Sequence, residues 1–314
     1  MEKKLVVLFE KYSGECLFSS GLRDETVRGY THVFGYFQRL MPEIESPEQI
    51  TEDVMRDFLR RAQTRSSCMQ GGKTLRGLKN SSLLTYRNKL KPFFNWLVSN
   101  GHMDTNPLLK IKSPKVRYTD SRALTKSDIE KLYTAIMLHS SSSLIRLRDA
   151  CIVTLLFHTG LRRGELIGLQ VSDINLERRR LRVRAETSKS DSERSLTISH
   201  ELAQHMRDYV AERNRLGYKT SAFFVSSARD QGLTVHGYKH WVKRLMQKSG
   251  VKFHLHRFRH SFACALAKDN VQFVKIQRLM GHVDPQMTLQ YMRSIQTDDC
   301  VQEMNNLSLD SLSR

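Results

Sequence analysis

The segment His256-Arg257-Phe258-Arg259-His260 gathers imidazoles and guanidinium into five residues, and Gly281-His282 and Tyr291 follow in the same C-terminal window. Far upstream, Arg162 stands two residues after a glycine. These residue types suit the holding of a phosphodiester and an attack on it. Metal-free cleavage of that bond needs a nucleophile, cations for the non-bridging oxygens and an acid for the leaving oxygen. The chain has no carboxylate cluster of the two-metal nuclease kind and no complete GxxxxGK[ST] loop of an NTPase. It does have, in order, Arg162, Lys189, His256, Arg259, His282 and Tyr291.

Most of these residues also have a plainer reading. The planar fork of Arg162 can grip two phosphate oxygens, and it could equally pair with Glu165. Arg259 lies three residues after His256, so both share one helical face, where a structural ion pair would fit as well. His256, His260 and Cys264 are spaced four and four and could ligate a metal. No Glu follows the first His, so the zincin pattern fails, and His260 and Cys264 are expected to face the core. His282 could be a turn residue after a C-capping glycine, and Tyr291 a core aromatic beside Leu289 and Met292.

The elements that must position these groups are mostly helical. Asp24 is the expected N-cap of a helix with Val27, Tyr30, Phe34, Phe37 and Met41 on one face. A second helix is expected near Thr51, carrying Val54, Phe58 and Leu59, and then a loop with Gly71, Gly72 and Gly77. A third pattern runs through Leu83, Tyr86, Leu90, Phe93, Phe94 and Leu97, with Pro92 expected to kink or break it. Further on, Thr125 and Asp128 form a capping box. Gly160 ends one helix, and Glu165 lies in the first turn of the next. Alternation over residues 180–184 and 195–198 predicts a β-hairpin with Lys189 near its tip. The HRFRH segment opens a helix reaching about Ala267.

Charge points to a polyanionic partner. The formal net charge is +19 and the pI about 9.9. From Arg60 to Arg117 there are thirteen Lys or Arg and one acid, Asp104; solvated helix faces usually mix signs, so this run suits a phosphate backbone. Five scattered cysteines without a CxxC pair suggest neither a disulfide framework nor a zinc ribbon. The apolar run Leu5 to Phe9 is too short for a signal peptide, and no stretch is long enough to span a bilayer. A cytoplasmic chain without a membrane partner is expected, associated with the nucleoid when bound to DNA.

Taken together, the boxes Thr159-Gly160-Leu161-Arg162-Arg163-Gly164-Glu165-Leu166, His256-Arg257-Phe258-Arg259-His260-Ser261-Phe262-Ala263 and Leu279-Met280-Gly281-His282, with Tyr291 beyond, resemble the tyrosine recombinases of the phage-integrase family. Val171-Ser172-Asp173-Ile174 matches the segment that usually follows the first box, and the likeness covers nearly the whole chain. The resemblance implies a mainly α fold with a small β-sheet (α+β). A helical core-binding (SAM-like) domain would span 1–113, a basic linker 114–122, the catalytic domain 123–294, and a protomer-docking tail 295–314. It implies site-specific recombination of duplex DNA through a 3′-phosphotyrosine and a Holliday junction, for integration, excision or resolution.

The roles that follow are those of the family. Tyr291 is the nucleophile, Arg162 and Arg259 clamp the phosphate, and Lys189 protonates the leaving 5′-oxygen. His256 assists the phenol, His282 donates to a phosphoryl oxygen, and Glu165 and Asp173 support the site. Lys73, Arg76, Lys79, Arg87, Lys91, Arg117, Lys239 and Lys243 are candidate DNA contacts. No ATP, metal or other cofactor is implied, and the partners are double-stranded DNA carrying recombination sites and further copies of the chain in a tetramer. A supercoil-relaxing type IB topoisomerase-like enzyme and a DNA-binding regulator without catalysis are the rivals. Covalent trapping on nicked duplexes and two-site plasmid recombination separate them.

Overall fold

The computed structural model describes residues 4–64, 67–68, 74–75, 77–116, 123–188, 192–227 and 229–292, with only the backbone of 67, 68, 74, 75, 290 and 292. The chain divides into two compact units, Met1–Tyr118 and Thr119–Arg314.

The first unit is built on four helices: α1 (Lys4–Phe18), α2 (Asp24–Leu40), α3 (Glu52–Thr64) and α4 (Asn80–Ser99). Helix α1 is not expected from the apolar run at its start. Its buried residues Leu5, Phe9, Tyr12 and Cys16 nonetheless fall at spacings of four, three and four, one face of a helix. Phe9 stacks on Phe34 of α2 at 4.0 Å and meets Phe93 of α4 edge-on at 5.1 Å, so three helices share one aromatic centre. Helix α2 begins at Asp24 itself, with Arg23 at the N-cap; Asp24 and Glu25 lie in the first turn, where the helix dipole favours acids.

Pro92 does not break α4, which runs through it from Asn80 to Ser99. Proline costs one backbone bond there. Leu90, Phe93, Phe94 and Leu97 are all buried around it, and their packing holds the helix together. In the stretch read as a glycine loop, short strands β1 (Ser67–Cys68) and β2 (Thr74–Leu75) pair antiparallel.

The second unit surrounds α6 (Ser143–Thr159), whose residues Ala150 to Leu156 are all buried. A helix apolar on every side belongs in the middle of a core. It packs against α5 (Lys126–His139), α8 (His200–Arg215) and α10 (Leu255–Lys268), while α9 (Val235–Ser249) lies on α5. The Thr125–Asp128 capping box forms as read. A three-stranded antiparallel sheet joins β3 (Ile174–Asn175), β4 (Arg180–Val183) and β5 (Arg194–Thr197). The hairpin is therefore present, with one further short strand at its edge. Short helices α7 (Arg163–Ile167), α11 (Phe273–Met280) and α12 (Gln286–Met292) complete the unit.

Candidate active site

Helix α6 stops at Gly160, which is left-handed (φ 57°) and lies against Phe262; an added Cβ would come within 2.7 Å of that ring. The turn buries Leu161 and delivers Arg162 to the N-cap of α7. Glu165 caps the first turn of α7: its Oε2 accepts from the Arg162 backbone N–H at 2.8 Å. The Arg162 guanidinium donates to Glu165 Oε1 at 3.2 Å and to the carbonyl of Gly281 at 3.1 Å. The pairing of Arg162 with Glu165 is therefore present.

Arg259, on the second turn of α10, is only 2% exposed. Its guanidinium donates to the carbonyl of Gly160 at 2.8 Å and to that of Met280. Arg162 and Arg259 are thus pinned to the consecutive carbonyls of Gly281 and Met280, and Arg259 also ties back to the end of α6. Burial, and then Arg162 nearby, pull the Arg259 guanidinium down to about 9, while the Tyr291 phenol works in the other direction.

Gly281, left-handed at φ 61°, caps α11 and turns the chain so that the His282 side chain is buried. Its Nδ1 lies 2.8 Å from Thr288 Oγ1. Its Nε2 is buried without a hydrogen-bond partner among the described residues. Burial first, then Arg259, Arg162 and Arg194, lower His282 to about 3, so the imidazole is neutral near pH 7. If the Thr288 hydroxyl donates to Nδ1, the proton sits on Nε2 and points a donor at whatever anion enters.

Tyr291, on α12, is 6% exposed. Its ring lies nearly parallel to that of His282, with centroids 6.0 Å apart, and 5.3 Å from the ring of His260. It also joins a small apolar cluster with Ala263, Cys264, Ala267, Ile276 and Met280. The core-aromatic reading of Tyr291 therefore holds, at a position beside the rings of His282 and His260. His260 is half-buried beside the sulfur of buried Cys264, at 3.7 Å. His256 is exposed at the first turn of α10, near the ring of His254.

The remaining sequence candidates spread further. Asp173 is buried and forms ion pairs with Arg184 at 3.1 Å and with Arg182, on β4, at 3.4 Å. Lys239 and Lys243 are exposed on α9, beside a groove that also includes Val242, Met246 and Lys252. Lys79 is exposed at the N-cap of α4, and Lys91 is half-buried within that helix. Arg87 donates to the carbonyls of Leu108 and Ile111. Lys73, Arg76, Arg117, Lys189 and the tail 295–314 lie outside the described residues.

Two participants are missing from the candidates that the sequence supplies. Arg194, on β5, donates to both Glu165 oxygens, at 2.9 and 2.8 Å. A signal for it exists: Arg194 alternates with buried Leu196, which puts a cation at an inward strand position. Thr288, fully buried beside His282, carries no such signal.

The phage integrase family model matches residues 122–297. The tyrosine recombinase XerD of Listeria monocytogenes serovar 1/2a is 27% identical over 90% of this chain and 93% of its own length. The XerC of Actinobacillus succinogenes is 30% identical over 76% of this chain and 75% of its own. Among solved structures, the Tn1549 transposon integrase in complex with transposon right end DNA has a TM-score of 0.74 at 19% identity, covering 96% of this chain and 99% of that one. The lambda integrase dimer bound to a COC′ core site has 0.67 at 23%, covering 90% and 96%. At those identities the likeness is one of fold. The chain belongs to the phage integrase family and is a site-specific tyrosine recombinase.

Proposed function

We propose that this recombinase cuts each DNA strand with Tyr291 and rejoins it to a partner strand. The phenolic oxygen of Tyr291 attacks the scissile phosphorus, and the bond to the 5′-oxygen breaks. The products are a 3′-phosphotyrosine and a free 5′-hydroxyl. A phenol titrates near pH ~10, so it needs cations close by and a proton acceptor. Arg162 and Arg259 supply the cations and stabilise the charge that grows on the non-bridging oxygens. His256 assists removal of the phenolic proton, and Lys189 protonates the departing oxygen. His282 donates from Nε2 to a phosphoryl oxygen. The ester bond energy is kept in the phosphotyrosine, so attack by a second duplex's 5′-hydroxyl needs no cofactor, and two such exchanges pass through a Holliday junction.

The observation that carries this reading is the pinning of Arg162 and Arg259 to neighbouring carbonyls beside the orphan Nε2 of His282 and the ring of Tyr291. Side chains from the N-cap of α7, from α10, from the end of α11 and from α12 converge there. In this reading residues 1–113 form a core-binding domain, 114–122 a basic linker and 123–294 the catalytic domain, which together grip duplex DNA. Lys73, Lys79, Arg76, Arg87, Lys91, Arg117, Lys239 and Lys243 supply phosphate contacts, and Glu165 and Asp173 hold the site in place. Four copies assemble on DNA through the tail 295–314. The reaction takes place in the cytoplasm, on nucleoid DNA.

The test uses a duplex enriched from a randomised library by the Tyr291→Phe protein, then nicked so that cleavage is irreversible. The unsubstituted protein forms a covalent protein–DNA complex, and Tyr291→Phe forms none. Absence of any covalent species would sink the mechanism.

A further inference from the structure

Arg194 lies where none of the roles above accounts for it. The Glu165 carboxylate has about four acceptor directions, and all are filled. Arg194 takes one on each oxygen in a parallel pair, at 2.9 and 2.8 Å. The Arg162 backbone N–H takes the third at 2.8 Å, and the Arg162 guanidinium only the fourth, at a longer 3.2 Å. The fork-on-fork arrangement is the strongest an arginine and a carboxylate can make, and Arg194 holds it while Arg162 does not. The other end of the Arg162 guanidinium is turned to Gly281 O.

Gly281 is part of the same design. An added Cβ there would come within 2.9 Å of Arg194 Nη1. A glycine at this point therefore does two jobs: it takes the left-handed cap of α11 and leaves room for the Arg194 guanidinium. Burial by itself would raise the Glu165 carboxyl, yet the Arg194 pair leads the interactions that hold it below its ordinary value. Glu165 is thus a fixed negative charge beside Arg162, and Arg194 decides which guanidinium it neutralises.

We propose that Arg194 is a positioning residue for cleavage: it occupies both oxygens of Glu165 and so leaves the Arg162 guanidinium to the scissile phosphate. This rests on the phosphate-clamp reading of Arg162 given above. Without Arg194, the carboxylate turns to Arg162, the guanidinium already bonded to it, and the two close into a bidentate pair. Arg162 is then still present but spent. A mere strut from β5 to α7 and Gly281 would behave differently, because removing its second partner as well could not repair the loss.

The experiment measures single-turnover formation of the covalent complex at saturating duplex, using the same nicked DNA. Arg194→Ala is expected to slow the step about 100-fold, the scale of losing one donor to a developing oxyanion, with duplex affinity changed less than about threefold. Adding Glu165→Gln to Arg194→Ala removes the competing charge while keeping an oxygen for the Arg162 backbone cap. The double variant is expected to recover at least about tenfold over Arg194→Ala alone, a strong non-additivity. If thermal unfolding shows Arg194→Ala to be unfolded, Arg194→Lys, which grips one oxygen only, carries the same comparison with a smaller span. A double variant as slow as the single one, or an Arg194 variant at full speed, overturns the proposal. Failure of the clamp reading itself shows up separately, as an unsubstituted protein that gives no Tyr291-dependent complex.

Discussion

Two buried carboxylates of the second unit, Asp149 and Glu165, each lie between two arginines, and they are used differently. Asp149 Oδ1 receives Nε and Nη2 of its neighbour Arg148, at 3.0 and 2.9 Å, and Oδ2 receives Arg244 at 2.9 Å. Arg148 also donates to the carbonyl of Val225, so the joint ties α6 to α9 and to the strand-like segment at Val225. Burial pushes the Asp149 carboxyl up against both arginines. Glu165 ends below its ordinary value: burial is opposed there by the Arg194 pair, a backbone N–H and Arg162. Around Glu165 three guanidinia, Arg162, Arg194 and Arg259, act on one carboxylate and on the neutral His282. One carboxylate closes a joint, and the other sits within a positive excess that suits an incoming phosphate.

The largest expected effect separates the two by activity. Arg259→Ala should lower single-turnover cleavage about a thousandfold, at the upper end for an oxyanion-stabilising group, with the folded protein still binding duplex. Asp149→Asn should leave cleavage per folded molecule within about threefold, because its network touches none of the reacting groups. It should instead cost about 3–5 kcal/mol of stability, the usual result of leaving a buried guanidinium without its counter-charge. Urea unfolding measures this. An Asp149→Asn protein of full stability and poor cleavage would erase the distinction.

Acid sharpens the comparison through its signs. Glu165 titrates lower folded than unfolded, so its contribution is present above about 4.5 and is lost as pH falls through the folded value. His282 acts in the same direction for another reason. The unfolded imidazole takes a proton below 6.5, and the folded one refuses it until about 3. Stability therefore falls with pH from about 6.5 downward. Asp149, raised when folded, has the opposite sign: its contribution declines as pH rises from 3.8 to its raised value. His282→Gln should flatten the unfolding free energy between pH 6.5 and 5 by about 1–2 kcal/mol. A curve identical to that of the unsubstituted protein would mean that His282 takes up its proton alike in the folded and unfolded chains.

The sequence carries some of this well and some not at all. The helix stops at Gly160 and Gly281 are legible because each needs a left-handed residue, and the order of the boxes points to Arg162, Arg259, His282 and Tyr291. Of the kink or break expected at Pro92, the break does not occur, because a single proline weighs less than the four buried side chains around it. Helix α1 is easily overlooked because its run begins at the chain terminus, although its period is regular. Arg194 is hidden for a different reason. A bidentate pair across twenty-nine positions leaves no local pattern, and only the strand alternation hints that this arginine points inward. The side-chain pairing of Asp149 with its immediate neighbour Arg148 is likewise invisible to helical spacing, which looks three and four residues away.

The smallest expected effect sets buried cations against exposed ones. Lys239 and Lys243 stand in water on α9, one turn apart, so each should act on DNA only through the phosphate charge it neutralises. Replacing either with Ala should reduce the slope of log affinity against log salt by about 1 and weaken binding similarly on every sequence. Cleavage at saturating duplex should be unchanged. Arg259 should show the reverse, a large loss in cleavage and little change in salt slope, because its buried guanidinium is committed to Gly160 and Met280 until a phosphate reaches it. Binding titrations at several salt concentrations, paired with single-turnover trapping, read both quantities. An unchanged salt slope in both lysine variants would move the duplex off this face of α9 and leave the groove beside Lys252 without a role in DNA binding.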